Sequence, residues 1–329
     1  MTWPGTKVLV TGAGGFVGSH LVETLVARGA DVRAFVRYTS CGGIGSLTFL
    51  PREVLQGVEI RRGDLRDSSA ILQAVKGCEA VFHLGALTSI PYSYQHPREV
   101  VETNLLGTLN VLEAARRTPP RSVVHVSTSE VYGTAQTVPI NEQHPLRAQS
   151  PYAASKVGAD QLAESYHRCF GVPVTTIRPF NIYGPRQSAR AVIPTIMMQA
   201  LAGSAIRLGS LYPTRDFTFV RDTVQGFLLA AATPAAIGHE VNLGSEDEIA
   251  IGDLAKKILA LSGRSVPIIT EERRTRPTAS EVGRLHADGS LAHRLLGWRS
   301  TVSLEEGLRQ TLAWMREHLE LYHVDEYSV

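Results

Sequence analysis

Through its first 180 residues the chain alternates short apolar runs of strand length with stretches patterned as amphipathic helices. The runs include KVLVTG, DVRAFVR, VEIRRGD, EAVFHLGA, SVVHVSTS and VPVTTIRPFN, and between them lie stretches such as FVGSHLVETLVARG, VVETNLLGTLNVLEAARR and SPYAASKVGADQLAESYHRCF. A continuous β-rich run with no polar face has to be covered on both sides, and a helix between successive runs supplies the crossover that parallel strands need. Right-handed crossovers then leave one architecture, a doubly wound α/β domain with helices on both faces of a parallel sheet. After about residue 180 the alternation weakens and Pro and Arg become frequent, as in YGPRQSARAVIP and RRTRPTASEVGR. We expect the sheet domain over 1–180, α/β elements returning to it at about 215–245 with HEVNLG among them, and a smaller, mainly substrate-binding lobe over 181–329. The segment YTSCGGIGSLTFLPRE reads as a mobile glycine-rich loop.

TGAGGFVG places Gly12, Gly15 and Gly18, with Phe16 and Val17 between them, at the turn from the first strand into the first helix. Glycines at that spacing let a pyrophosphate approach bare backbone, face the positive end of the helix dipole, and pack helix on strand. This strand-turn-helix context makes a dinucleotide the expected occupant and the sheet a Rossmann sheet. At the end of the second strand a carboxylate would hold the ribose hydroxyls, whereas a cation suits a ribose phosphate. AFVRYTS offers Arg37 and no acid there, which favours NADP over NAD, with a merely solvated arginine as the competing reading. GDLRD adds Asp64, placed to accept from the adenine amino group, beside Leu65; HLGA adds Leu84, Gly85 and Ala86, small enough at its end for the cofactor to lie against the fourth strand.

SPYAASK sets Tyr152 and Lys156 four residues apart, on one face of a helix. An ammonium near a phenol favours phenolate, so a lowered phenol pKa and a general base at Tyr152 are expected. VSTSEVYG adds Thr128, Ser129 and Glu130 at the end of a buried strand.

These motifs, with RPFNIYGPR, occur in the order found in the extended short-chain dehydrogenases/reductases acting on nucleotide sugars, and the chain resembles that family over nearly its whole length. TSE at 128–130 is similar to the GDP-mannose 4,6-dehydratase version of the strand-end motif; dTDP-glucose dehydratases carry Asp where this chain has Ser129. With GTAQTVPINEQHPL and GPRQSARAVIPTI, it most resembles GDP-N-acetylglucosamine 4,6-dehydratases of legionaminic acid pathways. The resemblance implies that Tyr152 takes the proton of the sugar 4-hydroxyl as hydride leaves carbon 4, that Thr128 bonds the 4-oxygen, and that Glu130 removes the carbon 5 proton before water leaves carbon 6. The acid at carbon 6 stays open between Glu130 and Tyr152. A 4-epimerase needs no carbon 5 base and is the alternative; a non-catalytic NADP-binding regulator is a distant one.

The resemblance also implies substrate contacts at Asn181 and Arg215 for the phosphates, and a late basic patch of Arg276 and Arg284. Arg186, Arg190 and Ser89 are weaker candidates, since a surface arginine or a turn hydroxyl explains each equally well. His83 and His125 lie inside apolar strands and read as core histidines. Lys and Arg total 33 against 31 Asp and Glu, so no broad positive face for nucleic acid or anionic membrane is expected. No apolar run approaches the ~20 residues of a membrane span, the chain enters a strand within a few residues of Met1 without a leader, and three distant cysteines show no metal or redox spacing. A cytoplasmic location follows as the expectation. The helices containing ETNLLGTLNVLEAAR and AASKVGADQLAESYH carry apolar stripes, which in the resembled family form a four-helix homodimer interface.

Overall fold

The computed structural model describes residues 2–322; residue 1 and residues 323–329, at the outer ends of the two expected regions, lie outside the described residues. The strands in chain order are β1 Lys7–Thr11, β2 Asp31–Arg37, β3 Val58–Gly63, β4 Ala80–His83, β5 Ser122–Val126, β6 Val174–Pro179, β7 Asn181–Tyr183, β8 Ile206–Leu208, β9 Thr214–Phe219, β10 Glu240–Leu243, β11 Glu248–Ala250 and β12 Ile268–Thr270. Seven of them form one sheet in the order β10-β6-β5-β4-β1-β2-β3, with every pairing parallel. Val8, Leu9 and Val10 of β1 and Val123 and Val124 of β5 have no exposed surface, as strands covered on both faces must. HEVNLG enters this sheet as β10, in register with β6 through Glu240 and Thr176.

From β1 the chain winds outward to β2 and β3, then returns past β1 to β4 and winds the other way to β5 and β6. The carboxyl ends of β1 and β4, where the winding reverses, border the crevice in which open α/β sheets bind ligands. The helix Phe16–Ala27 after β1 buries Leu21, Val22 and Leu25, each worth roughly 1.5–3 kcal/mol of apolar burial, so its amino end is fixed at that crevice.

Beyond β6 lie a sheet ordered β11-β9-β7 and the pair β12-β8. Two buried carboxylates tie this part of the chain together. Asp216 in β9 accepts from the Ser245, Glu246 and Ala287 amides at 2.7, 3.1 and 3.2 Å, and Asp222 accepts from the Thr301 and Val302 amides at 2.8 and 2.9 Å.

The segment expected as a mobile loop is instead partly helical, with a 3-10 turn at Gly45–Phe49 and a short helix at Arg52–Gln56. Leu47 is fully buried and Leu50 nearly so, and these two apolar anchors draw the segment down onto the glycine turn. The Ser46 amide donates to the Gly14 carbonyl at 2.8 Å. A Cβ on Gly45 would stand 2.2 Å from the same oxygen, so the contact requires glycine.

Candidate active site

At the crevice Thr11 ties the two strand ends together: its hydroxyl lies 2.8 Å from His83 Nδ1 and accepts from the Gly85 amide at 3.1 Å. Gly12 follows with φ +68°, and a Cβ there would come within 2.8 Å of the Gly85 Cα. Both the left-handed backbone and the close approach demand glycine. Gly15 caps the helix Phe16–Ala27 without a side-chain hydrogen bond, which leaves the first-turn amides at Phe16, Val17 and Gly18 as donors for an anion. A cavity of about 130 Å³ continues from this turn, bordered by Arg37, Asp64, Leu65, Gly85 and Ala86. Leu84, just before it, donates its amide to the Thr11 carbonyl at 3.3 Å. Bare backbone at a helix head, opening into a cavity between β1 and β4, fits a dinucleotide.

Two groups the sequence did not single out stand here, Arg66 in the lining of that cavity and Glu99 against its Arg37. Arg66 grips Asp64 through Nε at 3.0 Å and Nη2 at 2.6 Å, and with the Arg66 amide it holds the Asp64 carboxyl below the usual range. Glu99 faces Arg37, with 3.3 Å between Oε1 and Nη2, and its other oxygen accepts from the Tyr92 hydroxyl at 2.5 Å.

At the reacting end, Thr128 caps the 3-10 turn Ser129–Tyr132, its hydroxyl accepting from the Glu130 amide at 3.2 Å. Ser129 is buried and Glu130 half-buried in that turn. The helix Pro151–Phe170 begins at Ser150, whose hydroxyl accepts from the Ala153 amide at 3.1 Å; Pro151 at the first helical position suits the missing N–H. This cap sets Tyr152 in the first turn and Lys156 one turn on, both buried. The Thr128 hydroxyl and the charge of Glu130 both act on the Tyr152 phenol, and Glu130 acts on Arg215 as well, so the four groups share one site.

The electrostatics correct one expectation. Burial pushes the Tyr152 phenol above its ordinary range, the charges of Glu130 and Asp160 push the same way, and the Thr128 hydrogen bond only partly opposes them. Lys156 does not offset this, because its ammonium donates to the Val126 carbonyl at 2.8 Å, and burial brings its own pKa down to about 8.

Behind Lys156 lies a buried polar chain. Asp160 accepts from Arg178 Nε at 3.0 Å and faces His125 Nε2 at 3.2 Å. Arg178 Nη1 reaches the Tyr132 hydroxyl at 3.2 Å, and that hydroxyl donates to Asn242 at 2.7 Å. His83 has both ring nitrogens engaged, with Thr11 and Thr108; His125 Nδ1 has no hydrogen-bond partner. Asn104, in a π-helical turn at Glu102–Leu106, bonds the Leu87 amide and carbonyl at 2.8 and 3.0 Å and Ser155 at 2.9 Å, clamping the loop after β4 to the helix that carries Tyr152. A single polar residue in an apolar stripe is its only trace in the sequence.

The substrate candidates divide. Asn181 Oδ1 is buried without a hydrogen-bond partner. Arg215 and Arg276 both approach Glu281, at 3.4 and 3.8 Å, and Arg276 Nη1 is likewise buried without a hydrogen bond. Arg284 stands apart, half-exposed and bonded through Nε to both carboxylate oxygens of Glu248 at 2.9 Å. Ser89 caps the helix Ile90–Gln95, accepting from the Tyr92 amide at 3.3 Å. Arg186 turns to Glu23 on the first helix at 2.8 Å, and Arg190 bonds Ser188 at 3.3 Å.

A Rossmann sheet with this cradle, and with a Tyr-Lys helix facing a strand-end Thr-Ser-Glu turn, defines an enzyme of the extended short-chain dehydrogenase/reductase class that works on nucleotide sugars. Within it, the chain belongs to the GDP-mannose 4,6 dehydratase family, whose model matches residues 9–311. It is 33% identical over 317 residues to a UDP-glucose 4-epimerase of Mycolicibacterium smegmatis, covering 94% of this chain and 98% of the relative. A dTDP-glucose 4,6-dehydratase of Streptomyces griseus is also 33% identical, over 324 residues and 95% of each chain. Among solved structures, the dTDP-glucose 4,6-dehydratase DesIV of Streptomyces venezuelae, with NAD and TYD bound, superposes with a TM-score of 0.87 at 31% identity, covering 96% of this chain and 99% of that one. Among the described residues no helix is long and apolar enough to cross a membrane.

Proposed function

We propose that the protein is a nucleotide-sugar 4,6-dehydratase, converting an NDP-hexose to its 4-keto-6-deoxy derivative. The observation that carries this reading is Glu130, a carboxylate sharing one site with Thr128, Tyr152 and Arg215. The resemblance to the GDP-N-acetylglucosamine enzymes suggests an N-acetylhexosamine as the sugar.

The glycine turn, Leu84, Gly85 and Ala86 would hold a nicotinamide cofactor, which when bound would supply the acceptor for a hydride from carbon 4 and its donor to carbon 6. Arg37 at the end of β2 makes NADP the preferred form, because a guanidinium suits a ribose phosphate. Thr128 orients the 4-oxygen, and Tyr152, acting as phenolate, takes the proton of the 4-hydroxyl. Lys156, with a pKa of about 8, still carries its charge at neutral pH in most molecules and donates to the Val126 carbonyl at the end of the strand that leads into the Thr128 turn. The resulting 4-ketone acidifies carbon 5, whose proton passes to Glu130. Glu130 then returns that proton to the hydroxyl on carbon 6, which departs as water; Ser129 has no carboxyl to do so. The proton held by Tyr152 balances the one carbon 5 regains, so that the loss of water is the only net change. Arg215, Arg276 and the Asn181 amide nitrogen serve the substrate diphosphate, Arg276 through an Nη1 with no hydrogen-bond partner of its own.

Epimerase relatives match this chain at the same identity as dehydratases, so a 4-epimerase is the second reading. A panel of GDP-, UDP- and dTDP-sugars, followed by mass for loss of water, separates the two. Tyr152→Phe should stop the sequence before any reduced cofactor appears, whereas Glu130→Gln should build up reduced cofactor on the enzyme with no dehydrated product. A Glu130→Gln enzyme that still forms the 4-keto-6-deoxy sugar at near wild-type rate would reopen the epimerase reading. We further propose a cytoplasmic homodimer, paired through the helices at 97–117 and 151–170, where Val101, Leu106 and Phe170 are exposed.

A further inference from the structure

We infer that Glu99 is a specificity-determining residue of the cofactor site, restraining the preference for NADP by occupying Arg37. This rests on the reading of Arg37 as the partner of the ribose phosphate.

The second strand ends without the carboxylate that would hold ribose hydroxyls, but the structure brings one in from elsewhere. Glu99 lies in the helix Pro97–Val101, 62 residues further along the chain, and meets Arg37 at 3.3 Å. The Tyr92 hydroxyl holds its second oxygen, so the carboxylate is aimed at Arg37 from a fixed base. The other arginine at this rim is less available, because Arg66 is gripped by Asp64 and lies 3.8 Å from Glu102. Arg37 is the adjustable group, with 63% of its side chain exposed.

The consequence differs between the two cofactors. A 2′-hydroxyl can sit beside the Arg37–Glu99 pair without breaking it. A 2′-phosphate has to take Arg37 from Glu99 and then stand near a carboxylate of its own sign. The pair therefore weakens NADP selectively, and the protein binds NADP only several-fold tighter than NAD.

The test is calorimetric titration of NADP and NAD into the nucleotide-free protein, for wild type, Glu99→Gln, Glu99→Ala, Arg37→Ala and the Arg37→Ala/Glu99→Gln double variant. Releasing an exposed ion pair and removing one like charge should raise the NADP-over-NAD ratio about three- to tenfold in either Glu99 variant. Arg37→Ala should lower the ratio to about one or below, and adding Glu99→Gln to it should raise the ratio by less than Glu99→Gln raises that of the wild type, because only the like-charge effect then remains; an equal rise in both backgrounds would show that Glu99 does not act through Arg37. If Arg37→Ala lowers the ratio but both Glu99 variants leave it unchanged, Glu99 does not restrain Arg37 and the inference is overturned. If Arg37→Ala itself leaves the ratio unchanged, the underlying assignment of Arg37 fails, and the inference falls with it.

Discussion

Two clusters of charge serve the same crevice and are built on opposite terms. Around Asp160 the pair with Arg178 has 1% and 4% of its side chains exposed, whereas around Arg37 the pair with Glu99 has 63% and 28%. In the first, water cannot compensate a broken contact, and Asp160, Arg178 and Tyr132 are each held by two partners, which fixes the geometry behind Lys156. In the second, solvent screens each charge, partners can be exchanged at little cost, and a ligand can rearrange them. The reacting end thus fixes one arrangement of proton-carrying groups, and the adenosine end keeps a choice open. Polar networks of similar make-up differ in use because they differ in depth.

Breaking the buried cluster should have the largest effect. Asp160→Asn leaves Arg178 buried beside a neutral amide and should cost about 3–5 kcal/mol in urea unfolding. The same change withdraws the charge that raises the Lys156 pKa, so any activity remaining should shift in its pH profile as Lys156 deprotonates at lower pH. A loss under 1 kcal/mol would mean that the cluster is no more demanding than the surface pair.

The next effect is read in pH. Burial lowers the pKa of His20 to about 4 and also holds His83 and His125 below 6.5. Each takes up a proton more readily unfolded than folded, so stability is complete above the unfolded value near 6.5 and declines as pH falls toward 4. The slope should reach about 1.4 kcal/mol per pH unit for each such histidine. Urea midpoints compared at pH 7.5 and 5 check this, and His20→Gln should flatten the decline; a midpoint constant over that range would contradict the burial of these rings.

Smaller effects belong to the exposed pairs. Arg284→Ala should leave the urea midpoint nearly unchanged, since its partner Glu248 meets it at the surface. It should also weaken sugar-nucleotide binding less than Arg215→Ala, which removes a buried cation from the site of Glu130; equal losses by calorimetry would return Arg284 to the substrate. Smallest of all, Glu99→Gln should leave the unfolding midpoint within about 0.5 kcal/mol while altering cofactor choice.

Features that span only a few residues are legible in the chain itself. Gly12, Gly15 and Gly18 mark a strand-to-helix turn by their spacing alone, Tyr152 and Lys156 share a face because a helix turns once in 3.6 residues, and the apolar runs of the central strands β1, β4 and β5 define a parallel sheet because they are buried on both faces. The glycine-rich segment after β2 is not legible in this way, since its composition is that of a loop and only the burial of Leu47 and Leu50 shows what holds it.

Local pattern by itself determined the sheet, the glycine turn after β1 and the placement of Thr128, Tyr152 and Lys156 at a strand end and on one helix face, because each depends on the periodicity of a single element or its ends. Tertiary structure alone decided how those residues are charged and paired. Asp160 meets His125 across 35 residues and Arg37 meets Glu99 across 62, pairings set by how the crossovers lay helices on the sheet. The same packing reversed the direction expected for Tyr152. A lysine four residues away favours phenolate only if its ammonium faces the phenol, and here the Val126 carbonyl engages that ammonium while burial of the ring sets the sign.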